Sequence, residues 1–277
     1  MTILLPLFAC LPVLSILSLA PSLAQTLPAE IQAVSPETIE QRLRRFSKSN
    51  WTRERQLRKI FEEAGCDAGR VSEQTVTAAD PPNVACRLAG SRDSTIIVGA
   101  HTDATGRGQG VLDDWSGAAL LASLFQTLRG SLRQHTFIFV GFTGEEHHRK
   151  GSRFYVEQLK AEEAGKVRAM VNLDCIGAGS TAVWTQYADP KLLSLLYDVG
   201  REGRFAVRNI DLVGMYDDAA QFRKRKIPTM SIHSLTVDTL HILHSRRDNL
   251  STIHLDQYDA SYRLIAAYLV RLDFALE

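Results

Sequence analysis

The feature that most constrains the fold is an alternation of short apolar runs with amphipathic segments. TFIFVGF (136 to 142), rich in β-branched and aromatic side chains, reads as a strand buried on both faces. Comparable strands are expected around Arg70 to Thr77, Asn83 to Leu88, Thr95 to Gly99, Arg168 to Leu173, Thr181 to Thr185 and Pro228 to His233. Helical patterns separate and follow them: one from Ser116 (SGAALLASLFQTL), one from Ser152 (SRFYVEQLKAEEA), one from Pro190 (PKLLSLLYDVGREG) and a last one from about Asp256 to Leu272. Two earlier helices are expected, the first capped by Ser35 with Pro36 at its first position, the second from Thr52 to about Ala64. Such alternation predicts an α/β fold with a mixed, largely parallel central sheet and helices on both faces.

A chain of 277 residues with 45% hydrophobic content can bury one large core, so a single domain with a modest extension is expected. Lys plus Arg at 32 nearly cancels Asp plus Glu at 31, and no long block of one sign occurs. That excludes the electrostatic footprint of a nucleic-acid or anionic-membrane binder. The cluster RKRK (223 to 226) reads as a solvated helix end.

Residues 1 to 24 form an apolar segment ending in Ser22-Leu23-Ala24, the pattern of a secretory signal with a small-residue cleavage site. It lacks an early Lys or Arg, and retention as an anchor is the lesser alternative; Cys10 sits too early for an ordinary lipoprotein site. The expected product is secreted or periplasmic, with no membrane association after cleavage and a monomer favoured. In an oxidising compartment Cys66 and Cys86 are natural partners across a polar, Pro-containing segment, and closing that loop contributes on the order of 3 kcal/mol. Cys175, in the apolar context NLDCIG, reads as a buried free thiol. Residues 25 to 93 then supply the N-terminal helices and first strands, and 94 to 277 the core.

Acidic and imidazole groups collect where the apolar runs stop. Glu145 and Glu146 follow TFIFVGF, and two adjacent acids are costly to bury without a cation. STIIVGAHTD delivers His101 and Asp103, whose carboxylate could fix the imidazole tautomer. GVLDDWSGAALL places Asp113 and Asp114 before a helix, where capping is the plain explanation for either alone. RAMVNLDCIG is broken by Asp174, which needs a partner, and DTLHILHSRRDNL offers His241 and His244. His101, Asp113 or Asp114, Glu145 or Glu146, Asp174, and His241 or His244 make a nitrogen and oxygen donor set without thiolate. It suits zinc in a hydrolytic site, and five donors with one bridging carboxylate fit two ions.

In that order, HTD (101 to 103), GVLDDWSG (110 to 117), GEEHHRKGS (144 to 152), NLDCIG (172 to 177) and HSRRDNL (244 to 250) resemble the motif series of the M28 zinc peptidases. The resemblance covers roughly residues 94 to 270. It implies a zinc-exopeptidase-like fold and two zinc ions per chain, His101 and Asp174 on one, Glu146 and His244 on the other, with Asp113 bridging. Asp114 would occupy a place often filled by Asn, and His244 is preferred to His241 because Asp248 follows it at the family's spacing. Glu145 would be the general base and Asp103 the partner of His101. The substrate would be a peptide losing its N-terminal residue.

Asp217-Asp218-Ala219-Ala220-Gln221-Phe222 stands where the family often has Ser-Asp-His-x-x-Phe, so Asp218 and Phe222 match as substrate-binding candidates while a His is missing. His147 and His148 replace small or apolar residues and read as an exposed loop. Two alternatives remain: a glutaminyl-peptide cyclotransferase of the same fold, and a non-catalytic binding ectodomain, against which Glu145 argues.

Overall fold

The computed structural model describes residues 32–131 and 133–277, so the segment 1 to 24, with Cys10, lies outside the described residues. In chain order the strands are β1 (Val71–Gln74), β2 (Asn83–Leu88), β3 (Thr95–His101), β4 (Thr136–Phe142), β5 (Val167–Leu173), β6 (Ala182–Val183), β7 (Arg208–Asn209) and β8 (Thr229–His233). They form one sheet in the order β1-β2-β4-β3-β5-β8-β6-β7. The centre, β4, β3, β5 and β8, is parallel; β1 and β2 run antiparallel on one flank, and β6 pairs antiparallel with β8 and parallel with β7 on the other.

The helices are α1 (Pro36–Leu43), α2 (Asn50–Glu63), α3 (Ser116–Arg129), α4 (Lys150–Gln158), α5 (Ala161–Lys166), α6 (Pro190–Gly203), α7 (Ala219–Lys224) and α8 (Leu255–Ala275). Strand side chains alternate between faces, so the sheet has a core on each side. Ile96, Val98, Phe137 and Phe139 pack under helices α1, α2, α3, α6 and α8, while Ile97, Val140, Phe142 and Met170 pack with Val156 of α4 and Phe222 of α7. A domain with a mixed sheet covered on both faces is therefore what the alternation of patterns produces.

Local chemistry sets the ends. Ser35 accepts the Thr38 N–H ahead of Pro36, and Asp189 accepts from Lys191 and Leu192 ahead of Pro190. The pattern expected as one helix from Ser152 divides at Leu159 and Lys160, both extended, because the Glu163 carboxylate reaches back to the Lys160 N–H and starts α5 afresh. The strand expected over Thr181 to Thr185 is reduced to Ala182–Val183.

Cys66, just beyond α2, is bonded to Cys86 in β2, 20 residues away, with Cα atoms 6.3 Å apart. It ties the helical N-terminal layer to the sheet. Cys175 is a buried free thiol. Among the described residues no helix is long and apolar enough to cross a membrane.

Candidate metal centre

Parallel strands bring their C-terminal ends to one rim, and the groups collected there come from separate loops. His101 is the last residue of β3, Asp174 follows β5 directly, and Glu145 and Glu146 follow β4 after Thr143 and Gly144. Asp113 comes from an irregular turn, Val111–Trp115, that leads into α3. His244, with φ of 53°, comes from the segment after β8.

His101, Asp113 and Asp174 each offer a donor atom, and these atoms lie within 4.8 Å of one another; Asp113, Glu146 and His244 do the same. Asp113 belongs to both groups. Its Oδ1 is 3.0 Å from His101 Nε2 and its Oδ2 is 3.1 Å from His244 Nε2, so its two oxygens face two imidazoles. Glu146 Oε2 lies 2.9 Å from the same His244 nitrogen, and Glu146 Oε1 is buried without a hydrogen-bond partner.

The turn at Asp113 and Asp114 separates two adjacent acids. Both have non-helical backbone angles, and their peptide bond is cis. Asp114 points into the protein: Oδ1 accepts the N–H groups of Gly117 at 3.0 Å and Cys175 at 2.9 Å, and Oδ2 accepts that of His101 at 3.2 Å. Capping therefore accounts for Asp114, while Asp113 faces the open side.

Three further side chains hold the rim. Asp103 approaches His101 Nδ1 with its carbonyl at 3.1 Å and its carboxylate at 3.6 Å. Its carboxylate also accepts the backbone N–H groups of Glu145 and Glu146, at 3.0 and 3.2 Å, which the sequence did not reveal. Asp248 accepts from the backbone of Leu112 and Asp113. Arg53 of α2 is fully buried, donates to the carbonyls of Thr102 and Gly110, and lies over the Trp115 ring at 5.4 Å. Its signal was a charge on the same helical stripe as Leu57 and Ile60.

Carboxylates outnumber cations here, and the titration of the groups reflects it. Burial pushes Asp174 up to about 7, against the pull of His101, and Asp113 and Asp217 add to it. Burial likewise pushes Glu145 up to about 9, with His101 opposing and Asp218, Asp174 and Asp113 reinforcing. Burial disfavours charge on His101, yet hydrogen bonds to Asp103 and Asp113 hold its imidazole well above the ordinary range. His244 is raised to about 10 by its hydrogen bonds to Asp113 and Glu146. The imidazoles take on protons where an added cation would supply positive charge. Two nitrogen and oxygen donor triads sharing a carboxylate, with an orphaned oxygen on Glu146, fit a pair of divalent ions of the zinc type.

A cavity of about 300 Å³ opens over these groups, lined also by His148, Arg149, Trp184, Met215, Tyr216 and Leu235. Glu145 is on its wall, with Arg149 3.8 Å away. His147 is exposed, as is His241, which stands outside both donor groups. Asp218 and Phe222 do not line this cavity. Asp218 is fully buried with neither carboxylate oxygen hydrogen-bonded, and Phe222 packs against Phe142 and Tyr155, each 6.0 Å away between ring centres.

A parallel sheet rim carrying two donor triads and an adjacent acid defines the class: an α/β protein with a candidate two-ion metal site. Residues 83–269 match the family model of peptidase family M28, and the chain belongs to that family. A probable leucine aminopeptidase of Trichophyton verrucosum is 30% identical over 142 residues, 47% of this chain and 38% of that protein. The chain thus spans well under half the length of that curated relative. The crystal structure of the Legionella pneumophila LapA aminopeptidase superposes with a TM-score of 0.77 at 21% identity, covering 88% of this chain and 73% of that one. A glutaminyl cyclase from an Acidobacteriales bacterium superposes with a TM-score of 0.71 at 19% identity, covering 91% of this chain and 99% of that one. At such identities these two likenesses establish the fold.

Proposed function

We propose that this chain is a secreted, zinc-dependent aminopeptidase that removes N-terminal residues from peptides. The observation that carries the reading is the sharing of Asp113 between two three-donor groups, with Glu145 on the wall of the same cavity. His101, Asp113 and Asp174 would hold one zinc, and Asp113, Glu146 and His244 the other. When bound, the ions polarise the scissile carbonyl and make water acidic enough to attack near neutral pH.

The protein's own groups do the rest. Glu145 accepts the proton of the attacking water and returns it to the leaving amine. Asp103, by gripping the backbone of Glu145 and Glu146, holds base and ligand in a fixed relation. The acids of the rim attract a protonated α-amino group, and the apolar wall of Trp184, Met215, Leu235 and Leu243 has room for one side chain. A terminal residue satisfies both. Export fits the apolar segment 1 to 24 and the Cys66–Cys86 bond.

A second reading, cyclisation of an N-terminal Gln, is favoured by the coverage of nearly the whole glutaminyl cyclase chain. One experiment separates the two. Aminoacyl-nitroanilides and Gln-initiated peptides are incubated with the protein before and after chelation, with zinc counted per chain. Nitroanilide cleavage that is lost on chelation and restored by zinc supports the aminopeptidase. Pyroglutamate formation without hydrolysis supports the cyclase, and hydrolysis indifferent to chelation removes the metal from either account.

A further inference from the structure

A second depression, of about 610 Å³, opens beside the catalytic cavity, and His244 lines both. Its two lining segments meet through backbone. Gln109 N–H donates to the Asp248 carbonyl at 2.7 Å, and a Cβ on Gly108 would fall 2.2 Å from the Ser245 carbonyl oxygen, so glycine lets the two segments touch. A Cβ on Gly106 would meet nothing within 4 Å, which leaves the groove open on that side.

The rim is basic. Lys48, Arg107 and Arg246 all line the groove and are all exposed. Among the described residues none of the three forms an ion pair, although Arg and Lys elsewhere on the surface commonly do. Across His244 the catalytic cavity is lined by Asp113, Glu145, Glu146 and Asp174. Bases therefore line the groove and acids the cavity.

Leu243 lines the catalytic cavity and Ser245 and Arg246 line the groove, so residues 243 to 246 cross from one to the other with His244 at the boundary. Trp184 and Leu235 line the cavity and not the groove, so a peptide with its first side chain against them can run on past His244. Extended chain advances roughly 3.4 Å per residue, so its second and third residues meet the groove.

We propose that this groove is the subsite on the leaving-group side of the scissile bond and that Lys48, Arg107 and Arg246 select peptides presenting a carboxylate there. The carboxylate is either the C-terminus of a short peptide or an acidic side chain near the cleaved bond. The proposal rests on the aminopeptidase reading. The basic rim then draws the carboxylate of a short peptide by a field that acts before contact.

The test uses the zinc-loaded full chain and four substrates: Leu-nitroanilide, the tripeptide Leu-Gly-Gly as free acid, the same tripeptide amidated, and amidated Leu-Asp-Gly. The free acid is expected to show a KM about tenfold below its amide, with kcat within about twofold, and the gap to narrow in high salt. The combined variant Lys48→Ala, Arg107→Ala, Arg246→Ala erases that gap, with a melting temperature and zinc content near those of the parent showing that it is folded and loaded. If amidated Leu-Asp-Gly matches the free acid, a side-chain carboxylate serves; if it behaves as the plain amide, the terminal one does. Equal KM for acid and amide in the parent protein, or a preference that survives in the variant, overturns the proposal. Absence of nitroanilide cleavage defeats the aminopeptidase reading instead. Equilibrium binding of the acid and amide to the zinc-loaded protein then decides the groove, and equal affinities overturn it.

Discussion

Asp248 holds Asp113 from behind. Its Oδ1 accepts the Leu112 N–H at 2.7 Å and its Oδ2 the Asp113 N–H at 3.3 Å, while its carbonyl accepts the Gln109 N–H. The segment that carries His244 and the turn that carries Asp113 are thereby one unit.

Losing that grip frees the backbone of the shared carboxylate. Asp248→Ala is expected to weaken zinc binding by roughly 10- to 100-fold, at both positions because Asp113 serves both. Asp248→Asn, which keeps one acceptor oxygen, should fall between. Competition against a chelator of known affinity measures the effect, and unchanged affinity in the Ala variant would show that Asp113 needs no such support.

Glu145 is placed to move protons and stands outside both donor groups. Glu145→Gln keeps the shape and removes the base, so turnover should drop by at least about 100-fold while zinc content stays near that of the parent. The measurement is kcat alongside metal counted per chain. Residual turnover near the parent value would remove Glu145 from the mechanism; loss of zinc would make it a ligand.

Much of this architecture is legible in the chain because buried parallel strands require continuous apolar runs, and the groups that end those runs must share a rim. His101, Glu145, Glu146 and Asp174 could be placed along the sheet edge on that basis alone. β7 escaped notice because a segment of two residues holds too little periodicity, and α7, six residues long, was legible only as the helix end at RKRK (223 to 226). Residue types alone left Asp113 and Asp114 open; the motif resemblance favoured Asp113, and the backbone angles of one turn are what send the two side chains apart. Phe222 shows a different limit: its place in a motif says nothing of which way its ring points, and the ring joins the core with Phe142 and Tyr155.

Arg53 lies before the family-matched residues, yet its guanidinium links both ends of the loop between His101 and Asp113. It donates to the Thr102 carbonyl and, at 2.9 Å, to that of Gly110. Arg53→Met fills similar volume but leaves the buried Thr102 carbonyl without a donor and that of Gly110 with only the Trp115 N–H at 3.2 Å. An orphaned buried acceptor costs about 1–3 kcal/mol, so a loss on the order of 2 kcal/mol is expected in chemical denaturation. A change below about 0.5 kcal/mol would mean that water or neighbouring groups replace the guanidinium.

His233, at the end of β8, ties folding to acidity. Its Nδ1 accepts the Leu235 N–H at 3.0 Å and its Nε2 faces the Ile210 carbonyl at 3.2 Å, so the neutral ring with its proton on Nε2 satisfies both partners. Burial lowers its pKa to about 4, with the Ile210 carbonyl and Asp211 opposing. An unfolded histidine takes its proton near 6.5. Between those two values the unfolded chain binds a proton that the folded one refuses, so stability rises with pH across that window. The contribution is complete above about 6.5 and is lost as pH falls toward 4, on the order of 3 kcal/mol in all. His233→Gln carries no such proton. Unfolding free energies of the parent and this variant, measured from pH 4 to 7.5 with zinc removed from both, should therefore converge as pH falls, the parent losing its advantage mainly between 6.5 and 4. Parallel curves through that range would show that the ring accepts its proton in the folded state.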